Sequence, residues 1–70
     1  MYRIIQKLDG TFRCEVVIQD GTERWTETDL ETAKEKIKSA AKVLNGTKIK
    51  KKDIELYREE PVTQTRIVRI

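Results

Sequence analysis

Seventy residues make one domain, near the lower size limit for a chain that folds without disulfides or bound metals. An apolar content of 37% supports one thin core and no deep pocket, while 39% charged residues imply a well-solvated surface. With one cysteine and no histidine there is no disulfide within these residues and little basis for zinc or redox-metal chemistry; the net charge of +3 suits an anionic partner without requiring one.

The first third reads as a three-stranded meander over residues 1–28. Tyr2 to Leu8, Phe12 to Gln19 and Thr22 to Thr28 are rich in β-branched and aromatic residues, with Asp9-Gly10 and Asp20-Gly21 between them. Asp-Gly between two such runs signals a hairpin, because the turn needs a residue that accepts positive φ. The second run alternates, with Phe12, Cys14, Val16 and Ile18 on one face and Arg13, Glu15, Val17 and Gln19 on the other. Period two marks a half-buried strand. A two-residue loop at Asp20-Gly21 would pair Gln19 with Thr22 and Val16 with Trp25, placing Trp25 on the Phe12 face, the expected core side. At the first turn a two-residue loop would bury Arg3 and Lys7. A three-residue loop of Leu8, Asp9 and Gly10 moves the pairing by one residue and turns Tyr2, Ile4 and Gln6 inward. That second register is expected, with Gly10 left-handed.

A helix is predicted over 28–46. Thr28-x-x-Glu31 has the form of a capping box, with Asp29 as the competing N-cap. Leu30, Ala33, Ile37, Ala40, Ala41 and Leu44 recur at helical spacing as one apolar stripe, and Asn45-Gly46 supplies a left-handed stop. Residues 47–70 then hold a basic loop, Lys48-Ile49-Lys50-Lys51-Lys52, and a C-terminal hairpin of Ile54 to Arg58 and Val62 to Ile70 turned at Glu59-Glu60-Pro61. Ile67, Val68 and Ile70 do not share a face, so the last strand should be covered on both sides or meet a second chain. The expected architecture is α+β, one βββαββ domain over 1–70 with a single helix on one face of an antiparallel sheet.

The outer face of the meander would carry Arg3, Ile5, Lys7, Arg13, Glu15, Val17, Arg24 and Thr26. A strand ribbon with this many cations can enter the DNA major groove, where arginine forks onto guanine and lysine meets phosphate. Lys48, Lys50, Lys51 and Lys52 would add phosphate contacts. The plainer alternatives are a solvated sheet face and a solvated loop. Cys14 reads as a small buried hydrophobe and not as a reactive thiol.

The order strand, Asp9-Gly10, strand, Asp20-Gly21, strand, helix resembles the arm-site DNA-binding domain of phage and transposon integrases. It is also similar to the plant AP2 domain. The resemblance covers the meander and the helix and rests on turns and pattern. It implies a sheet that reads the major groove, with Arg3, Arg13 and Arg24 at the matching positions and Trp25 toward the helix. The two further strands depart from that pattern.

The expectation is therefore a small, non-enzymatic, cytoplasmic binding module of phage or mobile-element type, with double-stranded DNA as its partner. The alternative is a protein-interaction module, a phage inhibitor of a host factor or a homodimeric structural protein, using Ile5, Val17, Ile67 and Ile70 as contacts. No run is apolar enough to span a membrane, and no glycine motif for a nucleotide or other cofactor is present. Whether the last two strands cover the meander's outer face or extend its edge decides if the arginines stay accessible.

Overall fold

Three antiparallel strands, β1 (Tyr2–Gln6), β2 (Phe12–Ile18) and β3 (Gly21–Glu27), build the predicted meander in a computed structural model that describes residues 1–61 and 66–70. The first turn takes the three-residue form. Lys7 N–H donates to Thr11 O at 2.8 Å, and Gly10, at φ 89, donates back to Lys7 O at 3.0 Å. Asp9 braces the turn by accepting from the Thr11 amide and hydroxyl at 2.9 and 2.6 Å. Tyr2, Ile4 and Gln6 accordingly pair with Val16, Cys14 and Phe12, so the inward set is the one the burial penalty on Arg3 and Lys7 selects.

The second hairpin differs from expectation. Its loop residues are Gln19 and Asp20, Ile18 pairs with Gly21, and Trp25 lies opposite Cys14 instead of Val16. The correction is a slip of two residues. A slip of two preserves the facing of every side chain, so Trp25 still packs against the core.

The helix α1 (Leu30–Asn45) starts at Asp29, whose carboxylate accepts from the Thr32 amide at 2.9 Å. Asp29, not Thr28, is the N-cap. Gly46, at φ 64, ends the helix with its N–H on the Lys42 carbonyl. Asn45 ties this end to the sheet by donating to Tyr2 Oη at 3.0 Å and to Val17 O at 3.1 Å. Ala33, Ile37 and Ala41 are fully buried against Ile4, Cys14 and Val16, and the two alanines let helix and sheet approach closely. Leu44, predicted as part of the stripe, is exposed instead, because the last turn already stands at the end of β1 and β2. Burial in this core pushes the Cys14 thiol up to about 11, with the Glu27 charge acting in the same direction.

After Gly46 the basic run is not simply solvated. Ile49 and Ile54 are buried in the core on either side of a single 3-10 turn, Lys51–Asp53. Two strands follow, β4 (Glu55–Glu60) and β5 (Arg66–Arg69), while Val62 to Thr65 of the predicted last strand lie outside the described residues. All five strands form one sheet in the order β3-β2-β1-β4-β5. The α+β class holds, but the sheet is mixed and not antiparallel throughout, since β4 runs parallel to β1. The helix explains this. It carries the chain back along the length of the sheet, so β4 starts from the same end as β3 and β1 and takes the free edge of β1.

A helix is about 10–12 Å across and strands lie about 4.8 Å apart, so one helix covers two or three strands. Here α1 lies mainly over β2, with smaller contacts to β1 and β3. Beside the first turn of the helix, Phe12, Leu30, Leu56 and Ile70 line a shallow apolar groove. Among the described residues no helix lies on the opposite face.

Candidate functional site

The strands added beyond β1 extend the sheet instead of folding over it, so among the described residues no element covers the outer face. Its side chains fall into rows that cross the strands. One row reads Glu55, Arg3, Glu15, Arg24 from β4 to β3, an alternation of charge in register. The next reads Arg69, Tyr57, Ile5, Arg13, Thr26 from β5 to β3.

Glu15 is the centre of the first row and is only 3% exposed. Arg3 donates through Nε to Glu15 Oε1, Arg24 Nε lies 2.8 Å from Oε2, and Arg13 Nε lies 3.5 Å from the same oxygen. One carboxylate thus gathers three guanidiniums and leaves a local surplus of two positive charges. Burial alone would raise the Glu15 carboxyl, but the hydrogen bonds from Arg24 and Arg3 outweigh it and hold the group below its ordinary range. The bond it donates to Glu15 in turn raises Arg3 above its ordinary value. Each arginine meets Glu15 through Nε, an arrangement in which the terminal nitrogens can fork onto an oxyanion.

The other outer-face charges are paired in twos. Lys7 meets Glu59 at 2.8 Å, and Arg69 meets Glu55 at 3.1 Å. Tyr57 is half-buried between them, its hydroxyl donating to Glu55 Oε1 at 3.2 Å and the Arg3 guanidinium 5.8 Å from its ring centre. That spacing is within cation–π range. Among the described residues the outer face holds Arg3, Lys7, Arg13, Arg24 and Arg69 against Glu15, Glu55 and Glu59, again a surplus of two.

The structure therefore brings Arg3, Arg13 and Arg24 together and places Lys7 nearby in a closed pair. It does not bring the lysine run to them. Lys51 reaches back to α1, with Nζ 2.9 Å from Glu31 and 3.0 Å from Glu35, on the helix side of the sheet. Those contacts raise Lys51 and lower both carboxyls. Lys48, Lys50 and Lys52 are exposed on the same connection. Of the apolar residues considered for a protein partner, Ile5 offers no contact surface. It is 3% exposed, set in its row between the long side chains of Tyr57 and Arg13. Val17 is 39% exposed, while Ile67 and Ile70 are 55% and 66% exposed on the free-edged strand β5 and just past it.

Tyr57, Glu55, Glu59 and Arg69 are the members of this face that sequence reasoning did not assign. The signal for their facing was available, since apolar Ile54 and Leu56 point Glu55, Tyr57 and Glu59 to the other side. The signal for their neighbours was not, because pairing of β4 with β1 joins residues some fifty positions apart. Among the described residues no group of histidine, cysteine, aspartate or glutamate side chains is placed to hold a metal ion, and no helix is long and apolar enough to cross a membrane. No protein-family model, curated protein or solved structure gives a significant match to this chain.

Proposed function

We propose that this protein is a small non-enzymatic nucleic-acid-binding module that works through the outer face of its sheet. The observation that carries the reading is the convergence of Arg3, Arg13 and Arg24 on buried Glu15, on a face that neither the helix nor β4 and β5 cover. Glu15 holds the three side chains in place before any ligand arrives, so less rotamer freedom is lost on binding. Their terminal nitrogens suit phosphate, an anion that forked guanidinium donors can hold bidentately. The lysine run contributes at most long-range attraction from the helix side.

The test is a fluorescence-anisotropy titration of a labelled oligonucleotide at low salt. Micromolar binding that weakens steeply with salt is expected, and the double variant Arg13→Glu, Arg24→Glu should abolish it while the circular dichroism spectrum is retained. A flat titration with the folded wild-type protein refutes the proposal.

A second reading, strand-edge association with a protein, draws on one specific observation. The free edge of β5 carries exposed Ile67, and Ile70 lies exposed just beyond it. Light scattering across a concentration series tests its self-association form, and a mass fixed at one chain counts against it.

A further inference from the structure

We propose that the ligand of the outer face is a single strand of DNA or RNA and not a duplex, with Tyr57 as the platform for an unpaired base. This inference rests on the nucleic-acid reading above and narrows it. Three observations lead there.

The first is width. The major groove of B-DNA is about 12 Å across and admits a helix or a two-stranded ribbon. In this sheet β1, which carries Arg3, is the central strand, with two strands on either side. At about 4.8 Å per strand the face is about 19 Å from edge strand to edge strand. A duplex could only rest its phosphate ridges on such a face, whereas a flexible strand can lie across it.

The second is the charge pattern. The cations do not form a continuous track, since Glu55 and Glu59 alternate with them toward β4, while Glu15 lies buried beneath its arginines. A phosphate ridge of fixed spacing would meet Glu55 and Glu59 and be repelled. An unpaired strand can turn its phosphates to the arginines and its base edges to the carboxylates. Exocyclic amines and ring N–H groups of unpaired bases are donors, and a carboxylate is a pure acceptor.

The third is the aromatic. Tyr57 lies on the same face in the strand next to β1, with the Arg3 guanidinium 5.8 Å from its ring centre and Arg69 opposite it in register. A ring beside guanidinium planes is the combination on which unpaired bases stack, and it offers nothing to a base already stacked within a duplex.

The experiment compares a labelled single strand of a dozen or so nucleotides with its own duplex, by anisotropy at the same salt. The single strand should bind at least about tenfold more tightly, with a log–log salt slope near −2 if three phosphates are engaged. Tyr57→Ala should weaken single-strand binding about 5- to 100-fold, and Tyr57→Phe, which keeps the ring, should restore most of it. Because Tyr57 also flanks Ile5, Tyr57→Leu serves as a variant that keeps apolar cover but has no ring face, and it should bind as weakly as Tyr57→Ala. Equal or tighter binding of the duplex overturns the inference and leaves the nucleic-acid reading standing. So does an unchanged affinity in a folded Tyr57→Leu protein. Failure of both ligands to bind overturns the two together.

Discussion

Replacing Glu15 by glutamine separates the structural role of the arginine cluster from its binding role, because the two should respond with opposite sign. The carboxylate is buried but its partners are not. The Arg3, Arg13 and Arg24 side chains retain 36%, 42% and 50% exposure, so water screens each pair. Half-exposed pairs contribute about 0.3–1 kcal/mol each, and the neutral amide recovers part of the carboxylate's desolvation cost, which leaves a net loss of about 1–2 kcal/mol. For a domain of this size that is a fall in Tm of about 5–15 °C. The pH dependence has a definite sign. Glu15 titrates below its ordinary value in the folded state, so its contribution is present above the unfolded value and is lost as pH falls through the folded one. The wild-type and Glu15→Gln melting curves should therefore differ at pH 7 and begin to converge only once pH falls below the ordinary glutamate value of about 4.3. Binding should move the other way. The variant has one more net positive charge on the outer face, so oligonucleotide affinity at low salt should rise about threefold and the salt slope should steepen. A Glu15→Gln protein that melts like wild type at pH 7 refutes the account of Glu15 as the anchor that restrains these arginines, and a folded variant that binds more weakly refutes the expectation that the gained charge outweighs the lost restraint.

Two further predictions concern the backbone that positions the site. Gly10→Ala places a side chain at φ 89 in the first turn and should destabilise by about 1 kcal/mol or more, read as a lower urea midpoint with unchanged slope. Asp29→Ala should lower Tm by several degrees through loss of the helix N-cap, whereas Thr28→Ala should leave it nearly unchanged. Asp29 also titrates low because the Thr32 amide donates to it, so the cap's contribution is present at neutral pH and fades as acid protonates the carboxylate.

The two hairpins show what could and could not be read from the chain. At the first, the competing registers differ by one residue, which exchanges Arg3 and Lys7 for Ile4 in the core, and the cost of burying cations decides between them. At the second, the competing registers differ by two. The same faces point inward in both, so the alternation of Phe12, Cys14, Val16 and Ile18 has nothing to say about which one forms. The helix stripe was legible from Leu30 to Ala41, but periodicity measures only angle around the axis. It does not register where the sheet beneath runs out, and Leu44 lies past that point. The position of β4 was the least legible feature, since it depends on the helix returning the chain to the free edge of β1 and on no local signal.

That one placement changes the chemistry of the outer face more than any residue in the meander does. Considered alone, the three-stranded unit opposes Arg3, Lys7, Arg13 and Arg24 with a single carboxylate and looks suited to a polyanion along its whole length. Strand β4 sets Glu55 beside Arg3 in register and Glu59 on Lys7, so the positive charge at that end is consumed in pairs. Among the described residues Arg13 and Arg24 form ion pairs with the shared Glu15 alone, so the surplus is concentrated over β2 and β3. The aromatic surface lies at the other end of the same rows, on Tyr57. The face is therefore polar in the geometric sense, with its cationic surplus toward β3 and its aromatic side chain toward β4. A ligand that uses both must offer a phosphate and an unstacked base within about three strand spacings, roughly 14 Å. One or two nucleotides of a single strand span that distance, and no groove of an intact duplex presents both groups to one flat surface.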